Sequence, residues 1–477
     1  MKAGAGAAIL REIDDLPGPR SWPFFGSLLQ VDPPRIHQNV EAWARSYGPF
    51  FRLRLGRYTL LVVADHEAYA AALRDRPEGF RRIPKLARIS DEMGIQPGVF
   101  NAEGDDWRRQ RRVVMAGFDP RRLKAYFPSL VKVTRRLEAR WRRAAATGAP
   151  IDLQGDLMRF TVDAISGLAF GNDFNTLESD DDIIQRHLDK IFPAFAHRLI
   201  APVATWRYWK SRADRELERS VAAVNEAIAG FIAAARERLA ADPARRENPP
   251  NLLEAMIVAA DADAEAAWTD RDIAGNVMTM LLAGEDTTAN TLAWMIYLLD
   301  RHPDQKARAV EEAARLGPVD AWTYERVAAP GYLDACANET MRLKPVAPTL
   351  LMQALRDTVI GDVRVPARSV VWGAMRSDNL NERYFPEPQR FDPGRWLGGD
   401  PARAASAPSR VSMPFGAGPR VCPGRQLAML EIKSAMAMLL NTFEIVGVDT
   451  PGGGEAVEHL AFTMAPVGLT MRLRVRG

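Results

Sequence analysis

One of the chain's two cysteines stands in a setting that few sequences supply. The stretch SMPFGAGPRVCPGRQLAM, residues 412–429, places Cys422 between a valine and a proline, two residues after Arg420 and among glycines. Gly416, Gly418 and Gly424 let the backbone turn sharply and come close to something bulky. Arg420 can meet an anion such as a carboxylate. Ala428, Ile432, Ala435 and Leu439 then mark one face of a helix. The thiol is therefore expected near a helix N-terminus, where unsatisfied N–H groups and the dipole favour a thiolate. A thiolate in a glycine-rich loop, with an arginine for acid groups, suits an axial ligand of haem iron. Burial as an inert thiol is the commoner fate of a cysteine, but it explains neither the glycines nor the arginine. Cys336, inside a helical pattern, is read in that plainer way.

Two cysteines exclude a disulfide framework and an all-cysteine zinc site, and they make a reducing, cytoplasmic setting the default. A net charge of +3 over 477 residues gives no sign of a basic, nucleic-acid-binding surface. With 47% hydrophobic residues the chain can build a sizeable core. Its first apolar run is broken by Arg11, Glu12, Asp14 and Asp15, too soon for a signal-peptide core or a membrane span. No later segment offers about 18 uninterrupted apolar residues. The expectation is a soluble, cytoplasmic bacterial enzyme without a membrane anchor.

The chain reads as one domain, 1–477, with a β-rich part drawn from about 48–65, 346–375 and 455–475, and an α-rich body over about 66–345 and 422–442. Residues 50–65 alternate and then run apolar across Gly56-Arg57, which predicts a hairpin. The tail from Leu460 to Gly477 is also expected to be a hairpin, and 398–410 a small-residue loop.

Three further stretches carry chemistry. LLAGEDTTANT, residues 281–291, lies in a predicted helix that starts at Thr269, whose spacing to Asp272 is that of a capping box. That helix should stop at His302-Pro303, about 50 Å on. Gly284 weakens it, and Thr287 and Thr288 can bond back to the preceding turn. A weak point beside a carboxylate and a hydroxyl suits a site where oxygen binds and protons arrive; a kinked, satisfied core helix is the alternative. In NETMRLKPVAP, residues 338–348, Glu339 and Arg342 share a helix face; such a pair by itself is usually solvated and of little consequence. In DDWRRQRRVV, residues 105–114, Trp107 and Arg111 lie one turn apart, while Arg108, Arg109 and Arg112 form either a solvated face or a dock for an acidic partner.

FGAGPRVCPG resembles the haem-binding signature of the cytochrome P450 family, Phe-x-x-Gly-x-Arg-x-Cys-x-Gly: Phe415, Gly418, Arg420, Cys422 and Gly424 match each defined position. LLAGEDTTANT is similar to the family's distal helix motif, Ala/Gly-Gly-x-Asp/Glu-Thr-Thr. The resemblance implies a mainly α fold with a smaller β part (α+β) and a long helix crossing heme b, whose iron is ligated by the Cys422 thiolate. It implies that Thr287 hydrogen-bonds oxygen at the haem and that Asp286 helps relay protons. Trp107 and Arg111 resemble Trp-x-x-x-Arg, which binds the haem propionates. Glu339 and Arg342 resemble Glu-x-x-Arg, with Arg395 as third partner and Gly394 where the family often has glutamate. Two departures stand out: the place of a propionate-binding arginine falls near Met352, and MRSDN (375–379) replaces the frequent His-Arg-Asp. The pattern is nearer the bacterial fatty-acid hydroxylase and microsomal branch than the camphor-hydroxylase branch.

The implied activity is monooxygenation: one atom of O2 enters an apolar small molecule such as a fatty acid, terpenoid, steroid or macrolide. Within these residues no flavin-reductase segment follows. NAD(P)H electrons are therefore expected through a separate ferredoxin or flavodoxin-type donor and its reductase. A peroxygenase or isomerase needing no reductase is the alternative, and a haem-binding sensor or carrier is a third; Asp286 and Thr287 speak against both. The segments that match the family's pocket walls, 98–102, 190–206, 346–352 and 461–466, are apolar; wall candidates are Phe100, Met280, Ala283, Val346 and Met464, with His197 and Arg198 either at a polar end or on an exposed loop.

Overall fold

Residues 50–65 form the hairpin that their alternation predicts. Phe50–Leu55 runs antiparallel to Tyr58–Val63, with Phe51 opposite Val62 and Leu53 opposite Leu60. All four are buried. Gly56 turns the chain at φ +59°, a conformation that glycine adopts without strain. Val370–Ala374 adds in parallel to Tyr58–Val63. Thr349–Ala354 and Phe80–Arg82 follow by antiparallel pairing, giving five strands. One face of this sheet packs Phe51, Leu53, Val62 and Trp372 against Val40. The other packs Leu61, Val63, Met352 and Val371 against Tyr69 and Phe80. Alternating side chains that face two cores are what a sheet covered on both sides requires.

The computed structural model describes residues 10–171, 174–178, 183–201, 203–263, 268–329, 331–398 and 408–477. Most of the expected loop at 398–410 lies outside them. The chain divides into two compact units. The first comprises Met1–Pro84, Ala347–Arg390 and Gly399–Cys422; the second Lys85–Val346, Phe391–Gly398 and Pro423–Gly477. The sheet above belongs to the first. The second is mainly helical, so the molecule is α-rich with smaller β parts, as expected.

The long helix of the second unit spans Asp270–Arg301, 32 residues, about 48 Å at 1.5 Å per residue. Both halves of the predicted capping box form at Thr269 and Asp272, and His302 caps the other end ahead of Pro303. The helix lies against Leu153–Phe170. A Cβ on Gly284 would come 3.1 Å from Ile165 Cγ1, so close helix approach explains this glycine. Thr161 Oγ1 donates to the Glu285 carbonyl at 2.8 Å from the same neighbour.

Two expectations need correction. The helix Arg425–Thr442 is buried nearly all round, Glu431, Lys433 and Ser434 included, and not along one face. Lys433 finds partners inside: its Nζ donates to the Ala328 and Ala329 carbonyls at 2.8 and 3.1 Å. The tail is not one hairpin. Glu458–Leu460 pairs with Met464–Pro466. Thr470–Val475 instead joins Phe443–Asp449 and Ile151–Asp152. Gly468, at φ +59°, separates the two pairings. No helix among the described residues is long and apolar enough to cross a membrane.

Candidate functional site

The cysteine loop belongs to the first unit up to Cys422. Gly416 and Gly418 sit at φ +73° and +70°. At Gly418 a Cβ would fall 2.6 Å from the Leu73 carbonyl oxygen, so the loop backbone lies directly on the end of the helix His66–Arg74. Met413 and Ala417 pack on the adjoining apolar cluster. The Phe415 carbonyl accepts the Cys422 N–H at 2.9 Å, and the Gly418 carbonyl accepts the Val421 N–H at 3.1 Å. Phe415, Gly418, Arg420 and Cys422 are thus brought together by one folded loop, while Gly424 caps the helix Arg425–Thr442 of the second unit. Neither cysteine is in a disulfide, and they differ sharply: Cys336 is fully buried, Cys422 exposed. Burial pushes the Cys336 thiol far above its usual range.

These residues fit a haem. Among the described residues no group of three or more His, Cys, Asp or Glu side chains converges as metal ligands. A haem brings its own ring nitrogens and asks the protein for an axial donor. An exposed thiol on a fixed glycine loop meets that demand. The two sequence departures have structural owners. Met352 is fully buried in the sheet core. Arg376 is committed to Glu41, with contacts of 2.8 and 3.0 Å. Asp378 accepts the His66 N–H and pairs with its Nδ1, both at 2.8 Å.

In the second unit, Trp107 and Arg111 ride the helix Gly104–Gly117 one turn apart, with Trp107 buried. Its arginine run is neutralised from nearby. Arg108 meets Asp105, Arg109 meets Asp106 at 2.8 Å and lies over Trp268, and Arg112 meets Asp263 at 3.5 Å. The Glu339–Arg342 pair is not the solvated pair that its spacing suggests. Both side chains are fully buried, joined at 2.7 and 2.8 Å. Glu339 also accepts from the Asp392 N–H at 2.9 Å, Trp396 Nε1 at 2.9 Å and Arg395 Nε at 3.3 Å. A buried charge demands such saturation.

Asp286 and Thr287 sit mid-way along the long helix. Thr287 Oγ1 donates back to the Ala283 carbonyl at 2.7 Å. Ala283 is exposed and Thr287 half-buried, although most of the flanking residues are buried, so this turn faces open space. Thr288 is buried beside Glu431 of the helix Arg425–Thr442, whose charged form its hydroxyl favours. Asp286 accepts Asn290 Nδ2 at 2.8 Å and the Thr463 hydroxyl. Asn290 Oδ1 in turn accepts Gln154 Nε2 at 3.0 Å. Burial raises the Asp286 pKa above the ordinary carboxylate range, and the two hydrogen bonds only partly oppose it. Glu431 is pushed further, to about 8, by complete burial; the Thr288 hydroxyl opposes that in part.

Segments 98–102, 190–206 and 461–466, read as walls, do converge. Phe462 stacks on Phe192 at 4.8 Å and meets Phe195 and Phe100 edge-on at 5.5 and 5.8 Å. Met464 and Met280 are buried in the core, and the Val346 carbonyl accepts the Met464 N–H at 2.8 Å. Arg198 is not on an exposed loop: it lies in the helix Ile183–Ile200, 4% exposed, paired with Asp214 at 2.8 Å and placed over Trp206. Sequence reasoning missed Asn290, Gln154, Glu431 and the bond from Thr463 to Asp286. Asn290 was available from its i,i+4 spacing to Asp286. The others had no local signal.

A sequence model of the family described as Cytochrome P450 matches residues 16–462. The bifunctional cytochrome P450/NADPH–P450 reductase of Bacillus cereus is 27% identical over 458 residues, 91% of this chain and 40% of that protein. The mitochondrial 25-hydroxyvitamin D-1 alpha hydroxylase of Rattus norvegicus is 27% identical over 466 residues, 92% of this chain and 89% of that one. The chain spans less than half the length of the bifunctional relatives. Among solved structures, the crystal structure of the cytochrome P450DA heme domain matches with a TM-score of 0.83 at 26% identity, covering 98% of this chain and 99% of that one.

Proposed function

The chain belongs to the cytochrome P450 family, and on that premise we propose that it is a haem-thiolate monooxygenase acting on an apolar small molecule. The observation that carries this reading is the exposed Cys422 thiol on its clamped glycine loop. Cys422 would ligate the iron, Phe415, Gly418 and Gly424 shape the loop and the helix start, and Arg420, Trp107 and Arg111 would hold the propionates. When bound, the thiolate-ligated haem supplies activation of O2 for insertion of one oxygen atom into the substrate.

The remaining steps fall to side chains. Thr287 spends its proton on the Ala283 carbonyl, which leaves its oxygen lone pairs to accept and align a donor beside the exposed turn. Asp286, whose burial favours the protonated form, can carry a proton to that turn, and a carboxyl tuned upward suits general acid–base work. The aromatic cluster around Phe462 supports an apolar substrate, a fatty acid, terpenoid, steroid or macrolide, which gains by leaving water for such a wall. Electrons come from a separate ferredoxin or flavodoxin-type donor fed by NAD(P)H, and the working compartment is the cytoplasm. The paired arginines of Gly104–Gly117 offer that donor little net positive charge, so their part in docking is minor.

The test is a spin-state titration of the purified ferric protein against fatty acids, terpenoids and steroids. A low- to high-spin shift with one class is the expected result and names the class. No shift with any apolar class would remove the substrate assignment while leaving family membership intact.

A further inference from the structure

The turn of the Glu458–Pro466 hairpin holds two neighbours that look in different directions. Phe462 enters the aromatic cluster with Phe100, Phe192 and Phe195. Thr463, the next residue, gives its hydroxyl to Asp286. Both strands of the hairpin are firmly tied: the Met464 N–H goes to the Val346 carbonyl, the Met464 carbonyl accepts Trp294 Nε1 at 3.4 Å, and Glu458, at the start of the first strand, pairs with Lys344 at 2.6 Å. The carboxyl's other partner is equally fixed. Gln154 donates to Asn290 Oδ1, so the Asn290 amide must turn its Nδ2 to Asp286. Both Asp286 oxygens are therefore engaged by neutral donors held from outside its own helix turn, one of them 177 residues away.

We propose that Thr463 is a positioning residue for Asp286, and that through Phe462 it ties the placement of that carboxyl to the apolar wall against which a substrate would lie. The wall and the carboxyl are joined by a single peptide unit in a tight hairpin turn. A displacement of Phe462 of the kind a packed apolar ligand imposes is passed to the Thr463 hydroxyl, because packed side chains transmit strain and do not absorb it. Removing the hydroxyl leaves Asn290 as the remaining donor and lets the carboxyl leave its present place. This rests on the relay role assigned to Asp286 above, but its test reads the carboxyl itself and not turnover.

The experiment is infrared spectroscopy of the Asp286 carboxyl in the full-length, haem-loaded protein, reduced and bound to carbon monoxide, followed against pH. Asp286→Asn assigns the band by abolishing it. Thr463→Val, of equal shape without the hydroxyl, should shift the band and raise its titration midpoint by about one pH unit, tenfold in proton affinity, as expected for loss of a hydrogen bond to the charged form. Thr463→Ser should restore both. Phe462→Ala, with Phe462→Leu as the gentler variant, should move the band toward that of Thr463→Val. A wild-type band and midpoint in Thr463→Val would overturn the positioning role. A wild-type band in both Phe462 variants would overturn the tie to the wall. If Asp286→Asn retains full product yield, the relay reading fails instead, and the placement of the carboxyl by Thr463 is judged by its band alone.

Discussion

The cysteine loop and the Asp286 site solve the same problem, holding one reactive group still, by opposite means. At the loop the work is local. Phe415 and Cys422 are seven residues apart and share a backbone hydrogen bond, and Gly418 lets the turn lie on the Leu73 carbonyl. At Asp286 the work is remote: the carboxyl is held by Asn290 one turn on, by Gln154 behind it, and by Thr463 near the C-terminus. A site built from one stretch leaves a pattern in the sequence. A site built from several leaves residues that mean nothing until the chain is folded.

The Glu339 cluster combines both modes and should show the largest effect on stability. Arg342→Leu removes the local partner and leaves a fully buried carboxylate to Arg395, Trp396 and one backbone N–H. A loss of about 3–5 kcal/mol is expected, read by denaturant unfolding of the full chain. A loss near zero would mean that the remote partners suffice.

The Asp286 site is next. Asp286→Asn should slow product formation by about 10²-fold, the lower range for a lost general acid–base group. Thr287→Ala should leave haem binding intact and divert electrons to peroxide, measured as product per NADPH. An unchanged yield in Thr287→Ala would falsify the role given to its hydroxyl.

Glu431 tests the remote mode by linkage. Its folded pKa of about 8 lies above the ordinary 4.5, so between these values the folded chain binds more protons than the unfolded one. Stability should therefore fall as the pH rises through that window. Glu431→Gln should flatten the fall, as thermal unfolding at several pH values would reveal. The same slope in both proteins would place the titrating group elsewhere.

The sequence carried the local features well. The capping box at Thr269, the stop at Pro303 and the turn at Gly56 all depend on residues within a few positions of one another, and each formed as expected. Where a contact crosses the chain, local reasoning ran out. Spacing alone makes Glu339 and Arg342 a surface pair; the family resemblance adds Arg395, which does reach Glu339, but nothing within that helix shows that Trp396 and the Asp392 N–H close over it as well. For Arg198 an exposed loop stood beside a polar end as a reading, because Asp214 and Trp206 are brought to it only by the fold. The last strand pairs with Phe443–Asp449 and not with its neighbour, since strand pairing is decided by burial across the sheet and not by adjacency alone.

The account turns on Cys422 as the iron's thiolate ligand, and the carbon-monoxide difference spectrum of the reduced full-length protein tests it most directly. Wild type and Cys336→Ser should show the long-wavelength band of thiolate-ligated haem, and Cys422→Ser should lose it while remaining folded. The same band in Cys422→Ser, or its absence from the wild type, would contradict the account.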